Sequence, residues 1–364
     1  MTRAHAAVFD TRDRAPDGRC LPVEFIDLRQ DRYWPAIVNH RFGSLFTSPP
    51  WIEAVSRAFD LQILASARTA GNELEAAVPF CHVSDFRGDR VVCLPFSDYC
   101  DPLVEDGASW AGLIEPILSL KVPVTLRCLR NPVPLADNRF RLIGRGLWHG
   151  IDLTRSEDEL WAGLAPSARQ NVRKARRHGV VVVHGKSVED LRTFHQMHCH
   201  VRKSKYRLLA QPLRFFERLH ASFAPDDRLT VLLAVIDGTP AAGIVFLAWG
   251  DTLYYKFNAS LDQRLRPNDL LVWEGIRLAR QRGLARLDFG LSDAAQLGLV
   301  RYKRKFATDE EEISFLRWQD PDYVDPRGEL AGQTLHRMTH LMTDPSVPDQ
   351  ITRACGDALY RFFC

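Results

Sequence analysis

The sequence predicts an α+β fold in which one arrangement of helices and largely antiparallel strands is given twice. Three observations carry this. The chain has 364 residues, too many for one small core and suited to about two domains of ordinary size. Strand-like runs follow one another directly, with turn residues between them, as antiparallel strands do. The order of helices, meander, helix and strand occurs on either side of a Pro- and Gly-bearing stretch, Asn131 to Gly146, with no residue-level repeat.

In the first half, VEFID (Val23 to Asp27) reads as a strand. SPPWIEAVSRAFD follows, where Ser48 caps a helix with proline in its first turn and Trp51, Val55 and Phe59 form a stripe for burial. LQILASA, EAAVPF and RVVCLPF are short strands, Trp110 to Leu120 a helix and VTLRCL a strand. The second half opens with HGIDL, a helix from about Ser156, a basic helix from Ser167, VVVVH, and two helices between Ser187 and Ala224. The run from Leu229 to Ser260 gives three strands turned by Asp237-Gly238 and Gly250-Asp251. A helix starts at Pro267 and stops at Gly283, and ARLDFG is a further strand. From Pro321 two helices are expected, about Glu329 to Thr343 and Asp349 to Phe363. The expected domains are therefore 20–145, 146–320 and a helical tail, 321–364. The last helix carries Ile351, Leu359, Phe362 and Phe363, read as a docked face, with peripheral membrane contact as the alternative.

The chain is 46% hydrophobic and 26% charged, with a net charge of +3, values of a globular protein that exclude disorder and argue against a bulk nucleic-acid coat. Eight cysteines without paired spacing fit a reducing compartment. No apolar leader and no run of about 18 apolar residues occurs, so a cytoplasmic, soluble protein is expected.

Against that near-neutral background SARQNVRKARRHGV, Ser167 to Val180, stands out. At about 100° per residue, Ala168, Val172, Ala175 and Gly179 share a narrow arc that lets the helix pack closely on a neighbour. Arg169, Arg173, Arg176 and Arg177 share an adjacent arc, and no carboxylate at i±4 relieves them. Either they form a solvated face, or they meet phosphate, for which the guanidinium fork is suited.

The same stretch, with LWAGL before it, resembles the signature of the Fem peptidyltransferase superfamily, which includes CelD/BcsL-like acetyltransferases. PFSDYCDPLV, LYYKFNAS with the following RPNDLLVWEGIRLARQRGLARLDFGLS, and GLVRYKRKFA are similar to further segments of that family in the right order, over about residues 20 to 318. The resemblance implies two tandem GNAT-like domains, each a mixed, largely antiparallel sheet flanked by helices. It implies an acyltransferase that forms an amide on an amine acceptor in cell-envelope, polysaccharide or secondary-metabolite biosynthesis. A non-catalytic binding module of an envelope assembly is the alternative.

By that resemblance no cofactor is held permanently. The donor is a co-substrate, acyl-CoA or aminoacyl-tRNA, and the acceptor a small-molecule or lipid- or sugar-linked amine. Ordinary GNAT enzymes hold the coenzyme A pyrophosphate on a glycine-rich loop opening a helix. LDQRLRPND takes that place here without a glycine, leaving Arg264 and Arg266 to meet phosphate by side chain. The arginine face then finds a use on a tRNA acceptor stem; DNA is not expected as a partner. The family resemblance also implies that Lys303 stabilises the transition state and that Asp98 and Asp101 lie near the attacking amine, although aspartates beside proline also cap turns. Tyr302, Tyr255, Lys205 and Tyr206 are assigned to the substrate. Asp288 reaches a ligand or caps the next turn. Arg202, Lys203 and Arg207 could receive an anionic acceptor. HQMHCH places His195, His198 and Cys199 on one helix face, a spacing that permits zinc, but no metal is expected.

Overall fold

The structure, a computed structural model, describes residues 23–71, 73–325 and 327–364; the leader, with Cys20, lies outside the described residues. The chain divides into two compact units, one running up to Gly146 and adding Glu312–Ala331 and Cys364, the other comprising Leu147–Glu311 and Gly332–Phe363. A linear division into 20–145, 146–320 and 321–364 does not show this interleaving.

In chain order the first stretch contains β1 (Val23–Ile26), α1 (Trp34–Asn39), α2 (Pro49–Phe59), β2 (Ile63–Ala70), β3 (Glu73–Asp85), β4 (Gly88–Val92), α3 (Gly107–Leu118), β5 (Val124–Cys128) and β6 (Arg141–Asp152). Ser48 caps α2 by accepting the Trp51 N–H, and Trp51, Val55 and Phe59 are buried. β1 to β4 form an antiparallel meander, and β5 joins β4 in parallel after the α3 crossover. The expected linker is partly strand, because β6 begins at Arg141 inside it.

The second stretch contains α4 (Glu157–Gly163), α5 (Pro166–Arg177), β7 (Val181–Gly185), α6 (Val188–Ser204), α7 (Leu213–Phe223), β8 (Leu229–Ile236), β9 (Thr239–Trp249), β10 (Thr252–Ser260), α8 (Pro267–Gln281), β11 (Arg286–Asp293), α9 (Leu297–Lys303), β12 (Asp309–Trp318), α10 (Gly328–Met342) and α11 (Asp349–Leu359). β7 to β10 repeat the antiparallel meander, and β11 joins β10 in parallel after the α8 crossover. The architecture is thus α+β, with the same strand plan in both units. Asp237 and Gly238 both adopt positive φ, 49° and 75°, as a two-residue hairpin turn requires. Pro267 opens α8, and Gly283, at φ 68°, follows its end.

Ala168, Val172 and Ala175 are fully buried, so α5 packs closely by its small residues, in the same core as Trp273 and Ile276 of α8. Gly179 is the exception in that arc: it is exposed at φ +71°, beyond the helix end. No helix among the described residues is long and apolar enough to cross a membrane. No disulfide joins the seven described cysteines, which are all free thiols.

Candidate active site

β10 and β11 pair only from Thr252 with Arg286 to Tyr254 with Asp288. Beyond that point β10 bulges between Tyr255 and Phe257 and runs on to Ser260, while β11 continues to Asp293. Two parallel neighbours that stop pairing open a wedge whose edges carry backbone groups in need of partners. Of the sequence-predicted residues of the second unit, Tyr255 is on β10, Asp288 on β11, and Tyr302 and Lys303 on α9, which follows β11.

Lys303, at the end of α9, is only 3% exposed. Its Nζ donates to the carbonyl oxygens of Gly290 and Leu291, 3.0 Å away in each case, so a buried ammonium supplies the β11 edge with donors. Asp288, also buried, accepts the N–H of Gly290. Gly290 adopts φ +64°, a conformation that glycine takes without strain. Behind Lys303, His149 of β6 is wholly buried, with Nε2 2.9 Å from Glu310 Oε2. Burial and then the Lys303 charge hold its imidazole below the ordinary histidine value. Arg304 grips Glu310 through two hydrogen bonds of 2.6 and 2.7 Å.

Tyr255 packs edge-on to Phe289, with ring centroids 5.4 Å apart, and Tyr302 packs against Phe306 at 5.6 Å. The Tyr302 hydroxyl is buried with no hydrogen-bond partner among the described residues. Burial pushes both phenols up, helped for Tyr255 by Tyr206 and then Asp269, and for Tyr302 by Tyr255 and then Asp269. Asp269 sits in the first turn of α8, buried, accepting from Asn171 Nδ2 at 3.0 Å and lying 3.6 Å from Lys305 Nζ. Lys305 also stands over the Tyr302 ring at 5.2 Å. Asp269, Asn171 and His149 were not singled out from the sequence. Asp269 could have been, since an acidic residue two positions after the proline that opens a helix marks a first turn.

The helix end that would have to receive a pyrophosphate is therefore already supplied with a carboxylate. Arg266 precedes α8 in a left-handed conformation, φ 61°. Arg264 is paired with Asp262 at 2.7 Å, and that guanidinium holds the Asp262 carboxyl down at about 2.

The arginine face of α5 finds partners from neighbouring elements that the local spacing did not reveal. Arg169 donates to the Ala162 carbonyl, Arg173 lies over the Trp161 ring at 5.5 Å, and Arg176 pairs with Glu274 of α8 at 2.8 Å. Arg177 is exposed and makes no ion pair among the described residues.

The α6–α7 loop corrects another expectation. Of the cations thought able to receive an anionic acceptor, Arg202 donates twice to the Leu209 carbonyl, Lys203 to Val347 O and Asp349, and Arg207 to His340 O and Asp344. Lys205 and Tyr206 are exposed, the Lys205 amine 5.1 Å from the Tyr206 ring. His195 Nε2 meets the Gln211 carbonyl at 2.9 Å and His198 Nε2 the Gln211 side-chain oxygen at 2.8 Å. His195 and His198 thus hold the loop, and no group of three His, Cys, Asp or Glu side chains placed to hold a metal ion occurs among the described residues.

Asp98 and Asp101 lie in the first unit. Asp101 is 2% exposed and accepts the backbone N–H groups of Leu129, Arg130 and Asn131 at 2.9 to 3.1 Å. Burial nevertheless raises its carboxyl to about 6. It clasps the turn after β5 through Oδ1, while Oδ2 shares the Arg130 N–H at 3.2 Å. Asp98 is half-buried and faces Arg127, whose guanidinium burial lowers and Asp98 raises.

Residues 166–304, from the start of α5 through Lys303, match the profile of the acetyltransferase (GNAT) domain family. The matched stretch lies within the second unit, which is similar to a GNAT domain. The fold is similar to that of the protein in "Crystal structure of FemX", with a TM-score of 0.64, 14% identity, and coverage of 80% of this chain and 96% of that one. It is also similar to a tandem GNAT protein from the clavulanic acid biosynthesis pathway (TM-score 0.52, 14% identity, 83% and 100% covered). A third likeness is to L-PGS from Bacillus licheniformis (TM-score 0.56, 10% identity, 86% and 99% covered). A search of curated proteins by sequence finds no match. The tandem GNAT-like architecture and the likeness in fold to a Fem protein are thereby shown, and residues 166–304 are similar to the acetyltransferase (GNAT) domain.

Proposed function

We propose that the GNAT-like domain transfers an acyl group to an amine acceptor, forming an amide within the wedge between β10 and β11. The observation that carries this reading is the Lys303 ammonium, buried where those strands part. Attack of a neutral amine on the acyl carbonyl carbon forms the C–N bond and places negative charge on the carbonyl oxygen, which a preorganised cation in a water-poor site stabilises strongly. Collapse then breaks the bond to the donor's thiol sulfur or ribose oxygen, and that leaving group takes up the proton the amine loses. No covalent enzyme intermediate is needed. Tyr255 and Tyr302 line the apolar side of the same wedge, and their neutral phenols supply hydrogen-bonding groups to a polar ligand.

For the donor, the α8 N-terminus speaks against the ordinary acetyl-CoA arrangement. Its first turn holds the buried Asp269, Arg264 is spent on Asp262, and no glycine brings backbone close to a pyrophosphate. An aminoacyl-tRNA donor is supported by the exposed end of the arginine face, Arg177 with Arg173, and by the FemX likeness in fold. The acceptor is a small-molecule or lipid- or sugar-linked amine. Localisation in the cytoplasm and a place in cell-envelope biosynthesis belong to this same proposal.

The test is a paired screen of the purified protein against acyl-CoAs and aminoacyl-tRNAs, read as binding and as amide formation, in wild type and Lys303→Ala. Turnover that needs Lys303 supports the acyltransferase. Binding without turnover in both proteins supports the binding-module alternative, for which Lys303 merely satisfies two carbonyls. Micromolar acetyl-CoA binding with turnover overturns the donor argument.

A further inference from the structure

The segment between α6 and α7 is held from two sides, although Lys205 and Tyr206 within it are exposed. From α6, His195 and His198 grip Gln211, and Arg202 grips Leu209. From the C-terminal helices, the Arg207 guanidinium reaches the His340 carbonyl at 3.1 Å and Asp344 at 3.3 Å. Lys203 reaches Asp349 at 2.7 Å, and Arg214 reaches the Asp357 carbonyl at 2.8 Å. Gly356 of α11 lies so near the Ala210 carbonyl that a Cβ there would stand 2.8 Å from it. Arg207 itself adopts φ +55°, a left-handed conformation that a residue with a Cβ keeps only when its surroundings impose it. The neighbouring residue, Tyr206, is 52% exposed, and the helices that flank the loop meet the β10 bulge beside Tyr255, where the Phe257 ring lies 6.2 Å from His198 and 5.0 Å from Phe216.

We propose that α10 and α11 form a strap that holds the Lys205–Pro212 loop over the tyrosine side of the wedge, with Arg207 as the positioning residue through which the strap acts on Tyr206. This rests on the acyltransferase reading for its functional meaning but not for its structure. The strap turns two cations inward, Lys203 to Asp349 and Arg207 to Asp344, while Arg202 is held by Leu209 of the loop, and Lys205 and Tyr206 are left as the groups the loop offers to a substrate. A loop so tied is preorganised, and its contribution is to substrate capture rather than to the chemical step.

The variants are Arg207→Asn, which tolerates the left-handed conformation while losing the tie, and Asp344→Asn, which weakens the same tie from the other end. Three readouts are taken: amide hydrogen exchange across residues 205–212, nitration of individual tyrosines by tetranitromethane followed by mass spectrometry, and the steady-state constants for the acceptor. In wild type Tyr206 nitrates while Tyr255 and Tyr302 are protected. In both variants loop exchange rises about tenfold and Tyr255 becomes reactive. KM for the acceptor then rises several-fold while kcat stays within about twofold. Unchanged exchange and nitration overturn the strap, as does a fall in kcat at constant KM. If the wild-type protein transfers no acyl group at all, the acyltransferase reading fails, and exchange and nitration still decide the strap.

Discussion

The Nζ of Lys303 stands 3.0 Å from the carbonyl oxygen of Gly290, in the β11 edge that β10 has left. That relationship gives the lysine two separable tasks. It satisfies backbone at the wedge, and it places a positive charge there. Lys303→Met keeps an unbranched side chain one atom shorter and removes both. Turnover is expected to fall by about 100-fold or more, the scale of losing one oxyanion donor. Each carbonyl left without its donor is expected to cost roughly 1–3 kcal/mol of stability. Denaturant melts alongside single-turnover rates separate the two losses; a variant that melts early yet turns over normally leaves Lys303 with only the structural task.

How much of this was legible beforehand depends on which forces wrote the pattern. Trp51, Val55 and Phe59 bury on one face because helical spacing is local, and the Asp237-Gly238 turn was plain because its positive φ values demand such residues. β12 escaped notice because it opens DEEE, a run that hides the alternation reaching Ile313 and Leu316. Short α9 escaped for lack of any capping residue at Gln296. Within the candidate site, Lys303 and Tyr302 came from family resemblance, whereas Glu274 meeting Arg176 across 98 residues and His149 meeting Glu310 across β6 and β12 are tertiary events with no local signal.

Asp101 offers a test of the first unit. Its Oδ1 receives three backbone N–H groups in a buried turn, and its Oδ2 shares the Arg130 N–H at 3.2 Å; Asn keeps the first oxygen but sets its own amide N–H groups against the Arg130 N–H. Asp101→Asn is expected to lose roughly 1–3 kcal/mol of stability near pH 5. The pH dependence has a definite sign. The native carboxyl titrates at about 6, above the ordinary 3.8, so the native state holds this proton more tightly and the group disfavours the fold increasingly from about pH 4 to 6. The variant lacks that fall, and the gap between the two proteins therefore narrows as pH rises across the window. Parallel melting curves at pH 4.5 and 6.5 that keep a constant gap contradict the assignment.

His198 works in the opposite direction. Burial lowers its imidazole from 6.5 to about 3, while the unfolded chain protonates near the ordinary value. Stability is therefore complete above about pH 6.5 and declines as pH falls toward 3, by about 2 kcal/mol between pH 6.5 and 5 from this residue alone. His198→Gln retains a donor toward Gln211 and should flatten the acid limb of a urea-melt series. A slope between pH 6.5 and 5 identical to wild type counts against a neutral, buried His198.

Arg177 is the cleanest probe of the basic helix, since Arg169, Arg173 and Arg176 are each engaged by Ala162, Trp161 and Glu274. An exposed guanidinium with no ion pair among the described residues contributes little to folding, at most about 1 kcal/mol. If it meets phosphate, reversing it removes a contact whose strength falls with salt. Arg177→Glu is thus expected to melt within a degree or two of wild type and to bind a tRNA acceptor-stem duplex about tenfold more weakly at 50 mM salt, with the difference shrinking at 300 mM. Arg176→Glu must behave otherwise, because it sets two carboxylates against each other at Glu274, whose side chain is only 14% exposed; there melting falls as well. Reversal at Arg177 that leaves duplex binding unaltered at both salt concentrations shows the basic face to be solvated surface, and the phosphate reading of SARQNVRKARRHGV is then wrong.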